Sequence, residues 1–249
     1  MADPQPPAPH RDTHLARHML VIADGDVPAR AALDATWPGW DADLTVVIAA
    51  DGGLARARSL AFRVDLLVGD LDSLSPALVA DAEAEGIAIL RARVDKDESD
   101  GELALLEAVR RGATRITVLG AFGGPRLDHA LANLWLLAHP GLAGVDVVLL
   151  DAGSRAVLVT APATDGSPVR HALPGPVGAT VSLLPLGGDV LGITTAGLRY
   201  PLCDEPLRTG PARGLSNVRT AAGATVTVRD GRLLVIETAF PSGGLDSGA

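Results

Sequence analysis

Along the first 150 residues, short apolar runs that stop at glycine or aspartate alternate with longer stretches of helical character. Residues 19–23, 44–50, 65–69, 87–90, 116–120 and 145–150 read as strands. Blocks of Val, Ile, Leu and Ala a few residues long, closed by turn residues, suit strands buried on both faces. Residues 28–35, 54–60, 76–85, 100–111 and 127–138 read as helices. Their alternation predicts a mostly parallel α/β sheet. After Asp151 the texture changes: runs at 156–160, 180–184, 225–229 and 233–237 are separated by Gly, Pro and Asp, with no long helical period between them. That half is expected to be all-β, with residues 162–178 forming turns. The boundary falls near residues 151–155, giving an α/β unit at 17–152 and an all-β unit at 153–240. The Pro-rich residues 1–16 and the Gly- and Ser-rich residues 241–249 are expected to be disordered tails.

Composition narrows the classes. With 249 residues, 47% hydrophobic but only 3% aromatic, the chain can bury a core filled by Ala, Val and Leu. A formal charge of −9 leaves no basic stripe for nucleic acid, but suits nucleotides carried as magnesium complexes. Cys203 is the one cysteine, so no intrachain disulfide can form and a reducing compartment is expected. No apolar run approaches membrane-spanning length, and residues 1–10 lack the apolar core of a signal peptide. The expectation is a cytoplasmic protein without membrane partners.

The candidate chemistry collects where strands end, the region beyond which open α/β sheets bind ligands. Gly69-Asp70-Leu71-Asp72-Ser73 follows a strand. Locally extended backbone would point both carboxylates to one side, where their charges repel unless a cation intervenes; hard oxygen donors suit magnesium. The plain alternative is a solvated loop with one aspartate capping the helix near Ser75-Pro76. Asp51-Gly52-Gly53 closes another strand, with glycines for a tight turn or close approach to a ligand. Asp95-Lys96-Asp97-Glu98-Ser99-Asp100 opens a helix. Ser99 and Glu102 have capping-box spacing, while Lys96 is suited to phosphate oxygens and Asp97 or Asp100 to a metal. In Gly120-Ala121-Phe122-Gly123-Gly124-Pro125-Arg126-Leu127-Asp128-His129, glycines and Arg126 suit a polyphosphate. Asp128 is placed either to pair with Arg126 or to cap the helix, and His129 reads as a satisfied half-buried residue. The Walker pattern is absent, which excludes a P-loop kinase.

Together, Ala50-Asp51-Gly52-Gly53, Gly69 to Ser73, Lys96 to Asp100 and Gly123 to His129 resemble, in order and spacing, the motifs of the thiamine pyrophosphokinase family. Gly197 to Leu202, Leu207, Gly210, Gly214 to Asn217 and Gly231 to Ile236 extend the resemblance through the second half. It implies an α/β nucleotide-binding domain followed by a β-sandwich, and a homodimer with active sites between one subunit's first domain and its partner's second. The implied reaction moves a pyrophosphoryl group from ATP to thiamine, releasing AMP. Carried over by motif, Asp51, Asp70, Asp72, Asp97 and Asp100 form the acidic magnesium and substrate site. Gly52, Lys96, Ser99, Arg126 and Asp128 lie toward the nucleotide, and Tyr200, Ser216 and Asn217 toward thiamine. Tyr200 stands where relatives often have Trp, Ser99 where Thr is common, and Leu127 where Phe is common.

Two rival readings remain at this point. A phosphatase of the haloacid dehalogenase type would use Asp70 as nucleophile and Asp72 as acid, but that pair normally follows the first strand, not the third. A thiamine- or nucleotide-binding sensor would have no use for a magnesium-polyphosphate site.

Overall fold

Strand β1 (His18–Ile22) is buried at every position and lies between two parallel neighbours, β2 (Leu44–Ala50) and β5 (Arg115–Leu119). Beyond β2 come β3 (Leu66–Gly69) and β4 (Ala88–Arg91), and beyond β5 comes β6 (Asp146–Leu150), all parallel. The two faces of β1 show the strand period of two. Leu20 and Ile22 join the core that includes Leu33 of α1 (Arg30–Thr36), Leu54 of α2 (Gly53–Ser59) and Ala82 of α3 (Pro76–Ala84). Met19 and Val21 join Ala104, Leu105 and Ala108 of α4 (Asp100–Arg110) on the other face. The chain steps outward from β1 to β4, then α4 carries it back to β5 beside β1, so the strand order reverses between β1 and β5. α5 (Leu127–Leu136) follows β5 and buries none of its residues; Leu127, Leu131 and Trp135, spaced by four, are exposed.

This computed structural model describes residues 17–124 and 126–239, so the two tails expected to be disordered lie outside the described residues. The second half is all-β, as its pattern predicts. β7 (Ser154–Ala161) pairs antiparallel with β6. It is followed in the sheet by β14 (Gly231–Thr238), β9 (Thr180–Pro185) and β12 (Asn217–Val218), making ten strands in one sheet. β8 (Val169–Ala172), β10 (Val190–Ala196), β11 (Glu205–Leu207) and β13 (Thr225–Val228) form a second sheet in the order β11-β10-β13-β8. Its Val190, Ile193, Val226 and Val228 share a core with Val157, Val181 and Val235 of the large sheet. The two sheets thus form a sandwich on the face that α1 to α3 cover elsewhere.

The differences from the sequence reading are local. Residues 162–178 contain β8 and are not all turn; its half-buried, polar Val-Arg-His-Ala sequence carries no apolar run to read. β10 to β12 were likewise not predicted: β10 is interrupted by Gly192 at φ 65°, and the others are only three and two residues long. Helix ends shift by one to two residues, within the usual fraying. Among the described residues no helix is long and apolar enough to cross a membrane.

Candidate active site

Three aspartates converge, two from strand ends and one from the start of a helix. Asp51, just past β2, has φ 45°, and its N–H donates to Val68 O of β3 at 2.8 Å. That bond holds the turn against the neighbouring strand and buries the side chain. Gly53 follows because α2 begins against β1: a Cβ there would lie 2.0 Å from Ile22 O. Asp70 follows β3 after Gly69, whose φ of 151° suits glycine and whose missing Cβ would otherwise sit 3.1 Å from Asp100 Oδ1 and 3.2 Å from Asp51 Cβ. Asp100 opens α4. One carboxylate oxygen from each of Asp51, Asp70 and Asp100 lies within 4.8 Å of the others.

Lys96 enters this group as an internal cation. Its Nζ donates to Asp70 Oδ2 at 2.8 Å and lies 3.0 Å from Asp100 Oδ1. The second approach brings the charges together without hydrogen-bond geometry, so Asp100 Oδ1 and also Asp51 Oδ1 are buried with no hydrogen-bond partner among the described residues. The Ser73 hydroxyl donates to the other Asp51 oxygen, Oδ2. Burial raises the Asp51 pKa; Ser73 opposes this, and the charges of Asp100, Asp70 and Asp72 add to it. The Lys96 hydrogen bond lowers the Asp70 pKa, helped by the Asp72 N–H. Burial pulls the Lys96 pKa down, but Asp70 and Asp100 outweigh it and the net shift is upward.

Asp72 and Asp97 stand apart from this trio: both are exposed. The backbone between Asp70 and Asp72 is not extended, because Leu71 has φ 65° and turns inward to be buried. Asp72 N–H therefore donates to Asp70 Oδ1 at 3.2 Å, and the same-side argument from extended backbone does not apply. Neither aspartate caps α3, whose cap is Ser75, accepting from Leu78 N–H with Pro76 next. Ser99 caps α4 by accepting from Glu102 N–H at 3.1 Å. Glu102 does not complete the capping box; its carboxylate lies 3.4 Å from His139.

The glycine loop after β5 is tied to the loop after β1. Gly25 N–H donates to Gly120 O, Asp26 N–H to Phe122 O, and Gly124 N–H to Asp26 Oδ2 at 2.9 Å. A Cβ on Gly25 would lie 2.3 Å from Gly120 O, which explains glycine there. Asn133 of α5 donates to Ala121 O at 2.8 Å, fixing the other side of the loop. Arg126 and Asp128 form an exposed two-point ion pair that holds the Asp128 pKa at about 2, so Asp128 pairs and does not cap. His129 is exposed, not half-buried.

These pieces enclose a cavity of about 430 Å³ at the carboxyl ends of β1, β2 and β5, the point where strand order reverses. Asp51, Lys96, Ser99, Asp100, Arg126 and His129 line it, and so do Asp24, Gly25 and Asn133, which the sequence reading left unassigned. Asp24 and Gly25 end β1 in an Asp-Gly-Asp turn, the same signal that marked the other strand ends; Asn133 lies mid-helix and carries no such signal. Three converging carboxylates, with buried Asp51 Oδ1 lacking any hydrogen bond and Asp100 Oδ1 facing only the Lys96 ammonium, fit a hard divalent cation of the magnesium type.

Tyr200, Ser216 and Asn217 do not line this cavity. Asn217 is buried, accepts from Tyr200 N–H and Val218 N–H, and donates to Tyr200 O at 2.7 Å, so its amide fastens two chain segments together. Tyr200 and Ser216 are exposed beside it. β12, which starts at Asn217, is five strands from β5, roughly 24 Å across a flat sheet.

Comparison with known proteins gives the same picture. Residues 40–149 match the family model described as thiamin pyrophosphokinase, catalytic domain, and residues 170–233 the one described as thiamin pyrophosphokinase, vitamin B1 binding domain. Rice thiamine pyrophosphokinase 1 is 25% identical over 238 residues, covering 87% of this chain and 86% of its own. The Bacillus subtilis thiamine pyrophosphokinase is 25% identical over 170 residues, 68% of this chain and 76% of its own. A thiamin pyrophosphokinase family protein from Enterococcus faecalis has a solved structure that is 26% identical, with a TM-score of 0.74 over 90% of this chain and 100% of that one. With both domain models in succession over more than two thirds of its length, this chain belongs to the thiamin pyrophosphokinase family.

Proposed function

We infer that the protein transfers a pyrophosphoryl group from ATP to thiamine, yielding thiamine diphosphate and AMP. The observation that carries this reading is the presence of both family domains in one chain, the first of them supplying most of the lining of the acidic cavity at the strand switch point. The phosphatase rival needs Asp70 as a free nucleophile, whereas Lys96 holds it. The sensor rival leaves the converging carboxylates without a purpose.

In this reading residues 17–152 are the catalytic, ATP-binding domain and 153–240 the thiamine-binding β-sandwich. The triphosphate lies along the glycine loop, with Gly52, Ser99 and Asp128 beside it and the cations of Lys96 and Arg126 offsetting its charge. Magnesium, held by Asp51, Asp70 and Asp100 with Asp72 and Asp97 at its margin, would supply further charge stabilisation to the phosphates. Lys96 keeps the trio from repelling itself before the nucleotide arrives. The exposed carboxylates of Asp72 and Asp97, neither in an ion pair among the described residues, are the groups free to accept the proton of the attacking thiamine hydroxyl. The acidic surroundings also favour the positively charged thiazolium ring.

Tyr200, Ser216 and Asn217 would serve thiamine from the partner subunit. None of the three lines the cavity, and β12 lies five strands from β5, which supports a homodimer with shared sites. The single, exposed Cys203 suits a cytoplasmic location. Incubation with thiamine, ATP and magnesium, with both products identified by mass, tests the reading. Thiamine diphosphate with AMP is expected; thiamine monophosphate with ADP, phosphate release from simple phosphoesters, or no turnover would overturn it.

A further inference from the structure

The glycine loop of the candidate active site is held from outside the cavity. Gly120, Ala121, Gly123 and Gly124 line the cavity, and Asp26 does not. Gly123 and Gly124 sit in succession at φ 77° and 75°, a conformation that glycine enters and leaves at little cost. Such a pair keeps one shape when something else fixes it. The backbone bonds from the loop after β1 reach as far as Phe122, whose carbonyl accepts from Asp26 N–H at 3.1 Å. Past that point, the one hydrogen bond reaching Gly123 or Gly124 among the described residues runs from Gly124 N–H to Asp26 Oδ2. Asp26 also packs against Gly123, where a Cβ would meet Asp26 Oδ2 at 2.5 Å and Asp26 Cβ at 2.8 Å. Its N–H and its carboxylate thus grip the loop on both sides of Gly123, two residues before Arg126.

Two effects of Asp26 on a bound triphosphate oppose each other. Its charge repels the phosphates, while its hydrogen bond presets the loop beside them. No lysine, arginine or histidine nitrogen lies within 4.0 Å of its carboxylate among the described residues, so the charge is not neutralised by an ion pair. The carboxylate is exposed and stands outside the cavity, where water and salt screen it. The bond to an ionised acceptor acts on the loop itself, and it removes ordering that the glycine pair would otherwise undergo when nucleotide binds. Preorganisation therefore outweighs repulsion.

We propose that Asp26 is a positioning residue for the nucleotide: by accepting from Gly124 N–H it fixes the glycine loop, and the Arg126 that follows, in the shape that receives the triphosphate. The proposal rests on ATP as the substrate of this cavity, so its test reads ATP binding apart from turnover. Magnesium-ATP is titrated calorimetrically into the wild type, Asp26→Ala, Asp26→Asn and Asp26→Glu. Asp26→Ala should weaken ATP affinity about tenfold or more, the scale of losing a bond to a charged acceptor. Its nucleotide-free melting temperature and its affinity for thiamine should match those of the wild type, because the side chain is exposed. Asp26→Asn keeps an oxygen acceptor at the same reach and should restore most of the affinity. Asp26→Glu keeps the charge but carries its carboxylate one carbon further, so it should bind weakly; it decides the matter if the alanine variant does not fold. Wild-type affinity in Asp26→Ala would overturn the proposal and leave the activity standing. So would tighter binding, the mark of a carboxylate competing with phosphate, or an Asn variant as weak as the alanine one. A wild type that binds no ATP would overturn the assigned activity and this proposal with it.

Discussion

Lys96 Nζ donates to Asp70 Oδ2 at 2.8 Å, with both side chains nearly out of solvent at 12% and 11% exposure. A cation expected to meet phosphate is thus engaged by a carboxylate expected to meet metal, and it stands in for the missing positive charge. Replacing it separates its two jobs. Lys96→Met should lower kcat/KM by at least about a hundredfold, the scale of losing one donor to developing charge. The trio would then contain only like charges, so magnesium should raise the melting temperature of the nucleotide-free variant more than that of the wild type. Near-normal activity, or a smaller magnesium shift, would contradict this arrangement.

Asp51 sets a pH dependence whose sign is fixed by burial. Its folded pKa is raised above the ordinary 3.8, so the folded state holds a proton that the unfolded chain has released. Stability of the metal-free protein should therefore fall as pH rises from about 4 through the raised value, and level off above it. Asp51→Asn removes that fall and can still accept from Ser73. Melting curves in chelator from pH 4 to 8 should show the variant gaining on the wild type as pH rises, while its response to magnesium shrinks. A variant several degrees less stable than wild type at pH 7 would mean that the Ser73 contact outweighs the cost of the buried charge.

Asp70 and Asp72 are two residues apart but occupy different places, one inside the trio and one exposed. Both Asp70→Asn and Asp72→Asn should reduce kcat/KM by about a hundredfold or more, since several kcal/mol of charge stabilisation are at stake and each ~1.4 kcal/mol is tenfold. Only Asp70→Asn should blunt the magnesium-dependent rise in melting temperature without nucleotide. Equal blunting by both would place Asp72 in the resting cation site; wild-type activity in Asp72→Asn would remove it from the chemistry.

Much of this is legible in the sequence. Most of the six parallel strands are legible because they are buried on both faces and therefore largely apolar, and β4, mostly exposed at the sheet edge, because it still carries the run Ile87 to Leu90. β8 and β12 are not, since edge and half-polar strands draw their stability from partners far along the chain. The trio itself was only partly visible. Asp51 belongs to the acidic set by motif, but nothing local says that its turn is hydrogen-bonded to Val68 and so held beside Asp70 and Asp100. Asp72 was paired with Asp70 because the left-handed Leu71 between them, a conformation unusual outside glycine, is not written in its side chain.

Tyr200 and Asp70 test whether sites are shared between subunits. Asn217 is a poor choice for such a test, since its amide holds the backbone of Tyr200 and Val218, and truncating it would loosen the segment itself. Tyr200 is exposed and its side chain can be removed without opening a core. Asp70→Asn should disable the phosphate half of a site and Tyr200→Ala weaken the thiamine half. When the two proteins are mixed equally and allowed to exchange, about half the dimers are mixed, and each mixed dimer has one site made of two intact halves if sites are shared. Recovery should then approach about a quarter of wild-type activity, far above the average of the separate variants. If each chain builds its own site, no intact site can form. Activity that stays at that average, while subunit exchange is demonstrated by mass or by fluorescence transfer, would locate the whole reaction within one chain.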